Sequence, residues 1–115
     1  MSVVPLRVVV LVSGSGTNLQ ALLDAGPPEM TGYAVVAVGA DRPGTGGEER
    51  ARTRGIPTFV VPLADHRSRD DWDRALTEEV ASHTPDVVVS AGFMKVLGER
   101  FLAAHRVINT HPALL

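Results

Sequence analysis

Two short stretches of the chain combine residue types at spacings that could do chemistry. The first is Ser13-Gly14-Ser15-Gly16-Thr17-Asn18, where the β-branched run Leu6 to Val12 gives way to leucines at helical spacing, Leu19, Leu22 and Leu23. A glycine turn between a strand and a helix aims backbone N–H groups and the positive helix end at the carboxyl edge of the sheet, an arrangement that binds anions. The same residues also read as a tight turn with a Ser or Thr cap. A dinucleotide fingerprint would have a third glycine where Leu19 stands, and a P-loop would carry a Lys-Ser/Thr pair that is missing. A phosphate monoester therefore suits this cradle better than a pyrophosphate.

The second stretch is Asn109-Thr110-His111-Pro112, at the end of the apolar run Val107-Ile108. Pro112 biases His111 toward extended backbone, and an amide and an imidazole two residues apart on extended chain project to one side. Together they could donate to an oxyanion and hold a proton, or simply form a hydrogen-bonded structural pair. Asp41 lies roughly 25 residues after Gly16, where a nicotinamide-binding fold places its ribose-binding acid. An oxidoreductase reading rests on it, against that of a solvated turn, Asp41-Arg42-Pro43-Gly44. His66, His83 and His105 lack metal-ligand spacing and read as surface residues, so no metal is expected. Asp70, Asp71 and Asp73 read as the first turn of a helix, favourable with its dipole. Phe93 and Met94 are expected exposed in a loop, as core packing or as the lining of a slot for a flat heterocycle.

The elements that must position these residues alternate in type. Strands are expected over Leu6–Val12, Tyr33–Ala40, Thr58–Val61, Asp86–Ser90 and Val107–Asn109. Helices are expected over Thr17–Ala25, through Arg54 with Gly55 as its cap, over Ser68–His83 with Trp72, Leu76 and Val80 on one stripe, and over Val96–Ala104 with Leu97, Phe101 and Leu102 inward. Gly26-Pro27-Pro28 should end the first helix. Such alternation predicts one α/β domain over residues 1–115 with a mostly parallel sheet.

With 115 residues, 44% hydrophobic and 21% charged, the chain can bury one core in water. Cysteine is absent, which excludes disulfides and thiolate chemistry. Eleven basic residues against thirteen acidic ones give a charge of −2 and no basic face, so nucleic acid is not expected as a partner. No apolar run approaches the ~20 residues that span a bilayer, and a cytoplasmic protein with no membrane partner is expected.

Four collinear segments carry a resemblance: VVVLVSGSGTNLQALLDA at Val8–Ala25, ERARTRGIPT at Glu49–Thr58, DVVVSAGFMKVL at Asp86–Leu97 and VINTHPALL at Val107–Leu115. In this order they are similar to the phosphoribosylglycinamide formyltransferases, a folate-dependent family of purine synthesis. The Ser-Gly-x-Gly-Ser/Thr-Asn-Leu-Gln signature is the specific part, whereas the Ala-Gly-Phe-Met and Asn-x-His-Pro elements are shared with other formyl-folate enzymes. The resemblance implies a three-layer Rossmann-like formyltransferase fold with helices on both faces of the sheet. It implies formyl transfer from 10-formyltetrahydrofolate to the amine of 5-phosphoribosylglycinamide, with no metal. Gly16, Thr17 and Asn18 would hold the ribotide phosphate. Arg69, Met94, Lys95, Val96, Leu97 and Asn109 would contact the folate, and Asn109 and His111 would be catalytic. Lys95 and Ala113 depart from the family's frequent arginine and serine. Family members continue past the position of Leu115 with further strands and a catalytic aspartate, so the chain alone is expected to be inactive, with a sheet edge open to a second copy as in a homodimer. An oxidoreductase domain and a non-catalytic phosphate-binding module are the alternatives.

Overall fold

A computed structural model describes residues 4–91, 93 and 97–110. Five strands, β1 (Leu6–Val12), β2 (Tyr33–Ala40), β3 (Thr58–Val60), β4 (Val87–Ala91) and β5 (Val107–Thr110), form one sheet in the order β3-β2-β1-β4-β5. Every pairing is parallel. Strand order reverses between β1 and β4, and ligands in open sheets of this kind bind outside the carboxyl ends at such a reversal.

Side chains alternate across a strand, so a strand buried on both faces must be apolar throughout. On β1, Val8, Val10 and Val12 join Leu19 of α1 (Thr17–Asp24) and Ala51 of α3 (Gly46–Thr53) in a core on one face. Val9 and Leu11 join Trp72, Leu76 and Val80 of α4 (Arg69–Ala81) and Phe101 of α5 (Glu99–Ala104) on the other. The result is the expected three layers. Each fully buried valine or leucine in them contributes about 1.5–3 kcal/mol.

The structure departs from the sequence expectations at three places. Pro27-Pro28 does end α1, but Pro28 also opens a one-turn helix, α2 (Pro28–Thr31), because proline is preorganised for the first helical position. A 3₁₀ turn covers Leu63–Asp65. The last helix starts at Glu99 rather than Val96, and Leu102 is exposed, not inward. Phe101 takes the buried position, and its neighbour lies about 100° around the helix. Among the described residues β5 forms one edge of the sheet, with Ile108 exposed. No helix of the described residues is long and apolar enough to cross a membrane.

Candidate functional site

The turn after β1 is built from main chain. Gly16 caps α1 in the left-handed region, φ +79°, and no side chain caps the helix. The first-turn N–H groups of a helix have no intrahelical acceptor, and no acidic residue occupies this first turn. The carbonyls of the turn are held from behind. Arg42 donates to the Ser13 oxygen, the Gly47 N–H to the Gly14 oxygen at 3.3 Å, and Arg50 Nε to the Ser15 oxygen at 2.8 Å. With three successive carbonyls facing donors, the exposed side of the turn is left to N–H groups and the helix dipole, which favours an anion there.

Close packing of α3 makes this possible. A Cβ on Gly46 would lie 2.6 Å from the Ser15 oxygen, one on Gly47 2.5 Å from Val12 Cγ2, and one on Gly16 2.5 Å from Gly47 Cα. The helix begins in a capping box, in which Thr45 accepts from the Glu48 N–H and Glu48 from that of Thr45. Thr45-x-x-Glu48 is readable in the sequence as a helix start beside the Gly-rich stretch. Its service to the preceding turn is not.

At the sheet's carboxyl edge, register places Ser90 opposite Asn109 and Ala91 opposite Thr110, while Leu11 stands opposite Ser90. Asn18 Nδ2 donates to Thr110 Oγ1 at 3.1 Å, and Thr110 Oγ1 donates to the Ser90 carbonyl at 3.3 Å. The glycine turn is thus tied directly to the end of β5. Thr110 faces α1, so alternation turns Asn109 to the opposite face, the one on which Val107 packs with the α4–α5 core. Asn109 is exposed there.

On that face Trp72 is fully buried, donates from Nε1 to the Val61 carbonyl at 2.9 Å, and stacks on Phe93 with centroids 6.2 Å apart. The Arg69 guanidinium carbon lies 5.8 Å from the Trp72 ring. A cleft of about 600 Å³ is lined by Arg69, Asp73, Leu97 and Arg100, among others, and so joins two of the expected folate residues. The Arg100 guanidinium is held more firmly protonated than usual by its hydrogen bond to Asp70 and that carboxylate's charge. Met94, Lys95, Val96 and His111 lie outside the described residues.

The formyl transferase family pattern matches residues 6–115. The chain belongs to this family. It is 52% identical over 113 residues to phosphoribosylglycinamide formyltransferase of Mycobacterium tuberculosis strain H37Rv, covering 96% of this chain and 52% of that protein. It is 42% identical over 112 residues to the Escherichia coli enzyme of the same name, covering 96% and 53%. The crystal structure of glycinamide ribonucleotide transformylase 1 from Symbiobacterium toebii superposes with a TM-score of 0.88 at 38% identity, covering 94% of this chain and 52% of that one. This formyl transferase chain therefore spans about half the length of the relatives it matches.

Several expectations for the formyl transferase chain change with the geometry. Asp41 is buried, 8% exposed, although the turn it opens is solvated at Arg42, Pro43 and Gly44. Phe93 is half-buried against Trp72 instead of exposed. The three histidines are half-buried and structural: His66 Nδ1 meets the Pro62 carbonyl, His83 stacks on Phe59, and His105 Nε2 meets the Thr77 carbonyl. Of the three carboxylates expected in the first turn of α4, Asp70 and Asp71 occupy it and Asp70 pairs with Arg100 and Arg74 at the surface, whereas Asp73 lies beyond that turn and faces inward. A larger cleft, about 630 Å³, lies at the other end of α1 between Leu22, Tyr33 and Ile56. Its charged members Asp24 and Arg54 pair with each other, and it is remote from the carboxyl edge.

Proposed function

We propose that the chain carries the ribotide-binding and oxyanion-stabilising part of a cytoplasmic phosphoribosylglycinamide formyltransferase, acting on 5-phosphoribosylglycinamide and 10-formyltetrahydrofolate. The supporting observation is the hydrogen bond from Asn18 to Thr110, which joins the anion-favouring turn to the strand end that bears Asn109 and leads to His111. In this reading Gly16, Thr17 and Asn18 hold the phosphate. Arg69 and Asn109, on the opposite face of β5, form the folate side together with residues 94–97.

Bound 10-formyltetrahydrofolate supplies the formyl group. As the ribotide amine bonds to the formyl carbon, negative charge develops on the formyl oxygen. Asn109 donates its amide to that oxygen and a protonated His111 adds a second donor; one such donor is worth roughly 2.7–4 kcal/mol in the transition state. The bond from carbon to the folate nitrogen then breaks, and the amine proton passes to that nitrogen through a base, the role that the family resemblance gives to an aspartate past the position of Leu115. The chemistry needs neither metal nor covalent enzyme intermediate.

Titration of the isotope-labelled chain with 5-phosphoribosylglycinamide tests the reading. Amide shifts centred on Gly16, Thr17 and Asn18 are expected, without formyl transfer by this chain alone, because donors without the base fail as a unit. Micromolar affinity for NAD that disappears on changing Asp41 would overturn it, as would turnover by the mass-verified 115-residue chain at the rate of a full-length relative.

A further inference from the structure

Leu97, assigned above to the folate side, is followed by Gly98 and α5, and α4 contacts the chain both at Phe93 and at the start of α5. Phe93 stacks on Trp72 with an interplanar angle of 8°. The next residue of α4, Asp73, reaches the start of α5. Its Oδ2 accepts from the Arg100 N–H at 3.0 Å and its Oδ1 from the Phe101 N–H at 3.3 Å. These are orphan donors of the first turn, which the N-cap residue normally serves. Here the N-cap is Gly98, which has no side chain, and Asp73 is only 4% exposed.

Gly98 leaves room for that carboxylate. A Cβ at this position would lie 2.3 Å from Asp73 Cγ and 2.4 Å from Oδ2. Gly98 has φ −84° and ψ 175°, a conformation open to any residue, so the glycine serves space and not backbone freedom. Asp73 and Gly98 are one device, a cap supplied by a different helix.

We infer that Asp73 is a positioning residue for the formyl-folate site: by capping α5 from α4 it fixes the main chain next to Leu97 on the wall of the cleft that Leu97 shares with Arg69. The inference rests on the folate assignment proposed above. Asp73 touches no reacting atom, and it acts through the main chain at residues 98–101. The glycine turn is served by α3, so the ribotide side does not depend on it.

The experiment measures full-length kinetics for Asp73→Asn, Asp73→Ala, Gly98→Ser and the Asp73→Ala/Gly98→Ser pair. Asp73→Asn keeps the shape but replaces one acceptor by a donor facing a donor. It should raise KM for formyl-folate about tenfold, because small misplacement of a positioning element is amplified at the site. KM for the ribotide should stay within about twofold, since sites without shared partners vary independently. Gly98→Ser should be impaired alone. In the pair the serine hydroxyl has room to cap α5 itself, and most of the formyl-folate KM should return. A lowered melting temperature with both KM values unchanged, a parallel rise of both, or a pair no better than Asp73→Ala would each overturn the inference. An unaltered full-length protein that ignores formyl-folate would instead overturn the functional reading, and the inference with it.

Discussion

The turn after β1 and the residues described after β4, Phe93 and those from Leu97 into α5, lie on either side of the strand-order reversal, yet opposite means hold them in place. The first is fixed by main chain: glycines 16, 46 and 47 let α3 approach until its N–H and arginine donors reach the turn's carbonyls. The second is flanked by side chains, with Trp72 under Phe93 and Asp73 at the start of α5. A cradle for a compact anion has to bring N–H groups within hydrogen-bond reach, and side chains would only obstruct it. A slot for a broad heterocycle needs shaped apolar walls, which only side chains provide. The two halves should therefore respond differently to substitution.

The largest effect is expected on the side-chain half. Trp72→Ala removes a fully buried indole, its hydrogen bond to Val61 and the support of Phe93. It should cost about 3–5 kcal/mol of stability, a large part of what a domain has. Urea denaturation checks this, and a loss below about 1 kcal/mol would show that the core closes over the gap.

Next come Asn109, near the end of the edge strand β5, and His111, two residues further along the sequence. In the full-length protein Asn109→Ala and His111→Ala should each lower kcat by about 10²–10³-fold while substrate affinities stay within a few-fold, as expected of donors to a developing oxyanion. Because both serve one oxygen, the double variant should lose less than the product of the single losses. Steady-state kinetics with a melt of the same preparation separates this from packing. An unchanged kcat with a lowered melting temperature would make His111 a structural residue.

A third comparison isolates the backbone-built half. Gly16 and Gly55 both have positive φ, +79° and +71°, but a Cβ on Gly16 meets Gly47 Cα at 2.5 Å whereas one on Gly55 meets nothing within 4 Å. Gly55→Ala should cost only the left-handed penalty of about 1–2 kcal/mol. Gly16→Ala should cost more and also abolish ribotide binding, because its clash is with main chain that cannot yield. Equal losses in the two variants would mean that α3 does not brace the turn.

Much of this architecture is readable in the sequence, for stated reasons. Strand positions buried on both faces are apolar, so β1 from Val8 onward and β2 stand out as nearly continuous apolar runs, and Trp72, Leu76 and Val80 share a stripe because helical period alone fixes it. The glycine turn is readable because its chemistry is local. What escapes the sequence is set by tertiary approach. Asp73 reads as one of three similar acids at a helix start, and only the fold turns it toward a helix that begins at Glu99. Leu102 reads as core because apolar type says nothing about which of two adjacent residues a short helix buries. The tie between Asn18 and Thr110 joins residues 92 apart and has no sequence signal.

That tie gives the smallest expected effect. Thr110→Val keeps the shape and the β-branched strand preference but removes the oxygen that accepts from Asn18 and donates to the Ser90 carbonyl. Each neutral hydrogen bond is worth about 0.5–1.5 kcal/mol net, so loss of the two should lower stability by about 1–3 kcal/mol. If Asn18 meets the phosphate in the orientation this bond sets, ribotide affinity should weaken about three- to tenfold while affinity for free inorganic phosphate, which needs only the turn's N–H groups, changes little. Asn18→Ala should weaken both ligands. Calorimetric titration of the three proteins with the two ligands decides the matter: equal losses for ribotide and phosphate in Thr110→Val would place the tie within the cradle itself, and no loss for either would show that the turn and β5 act independently.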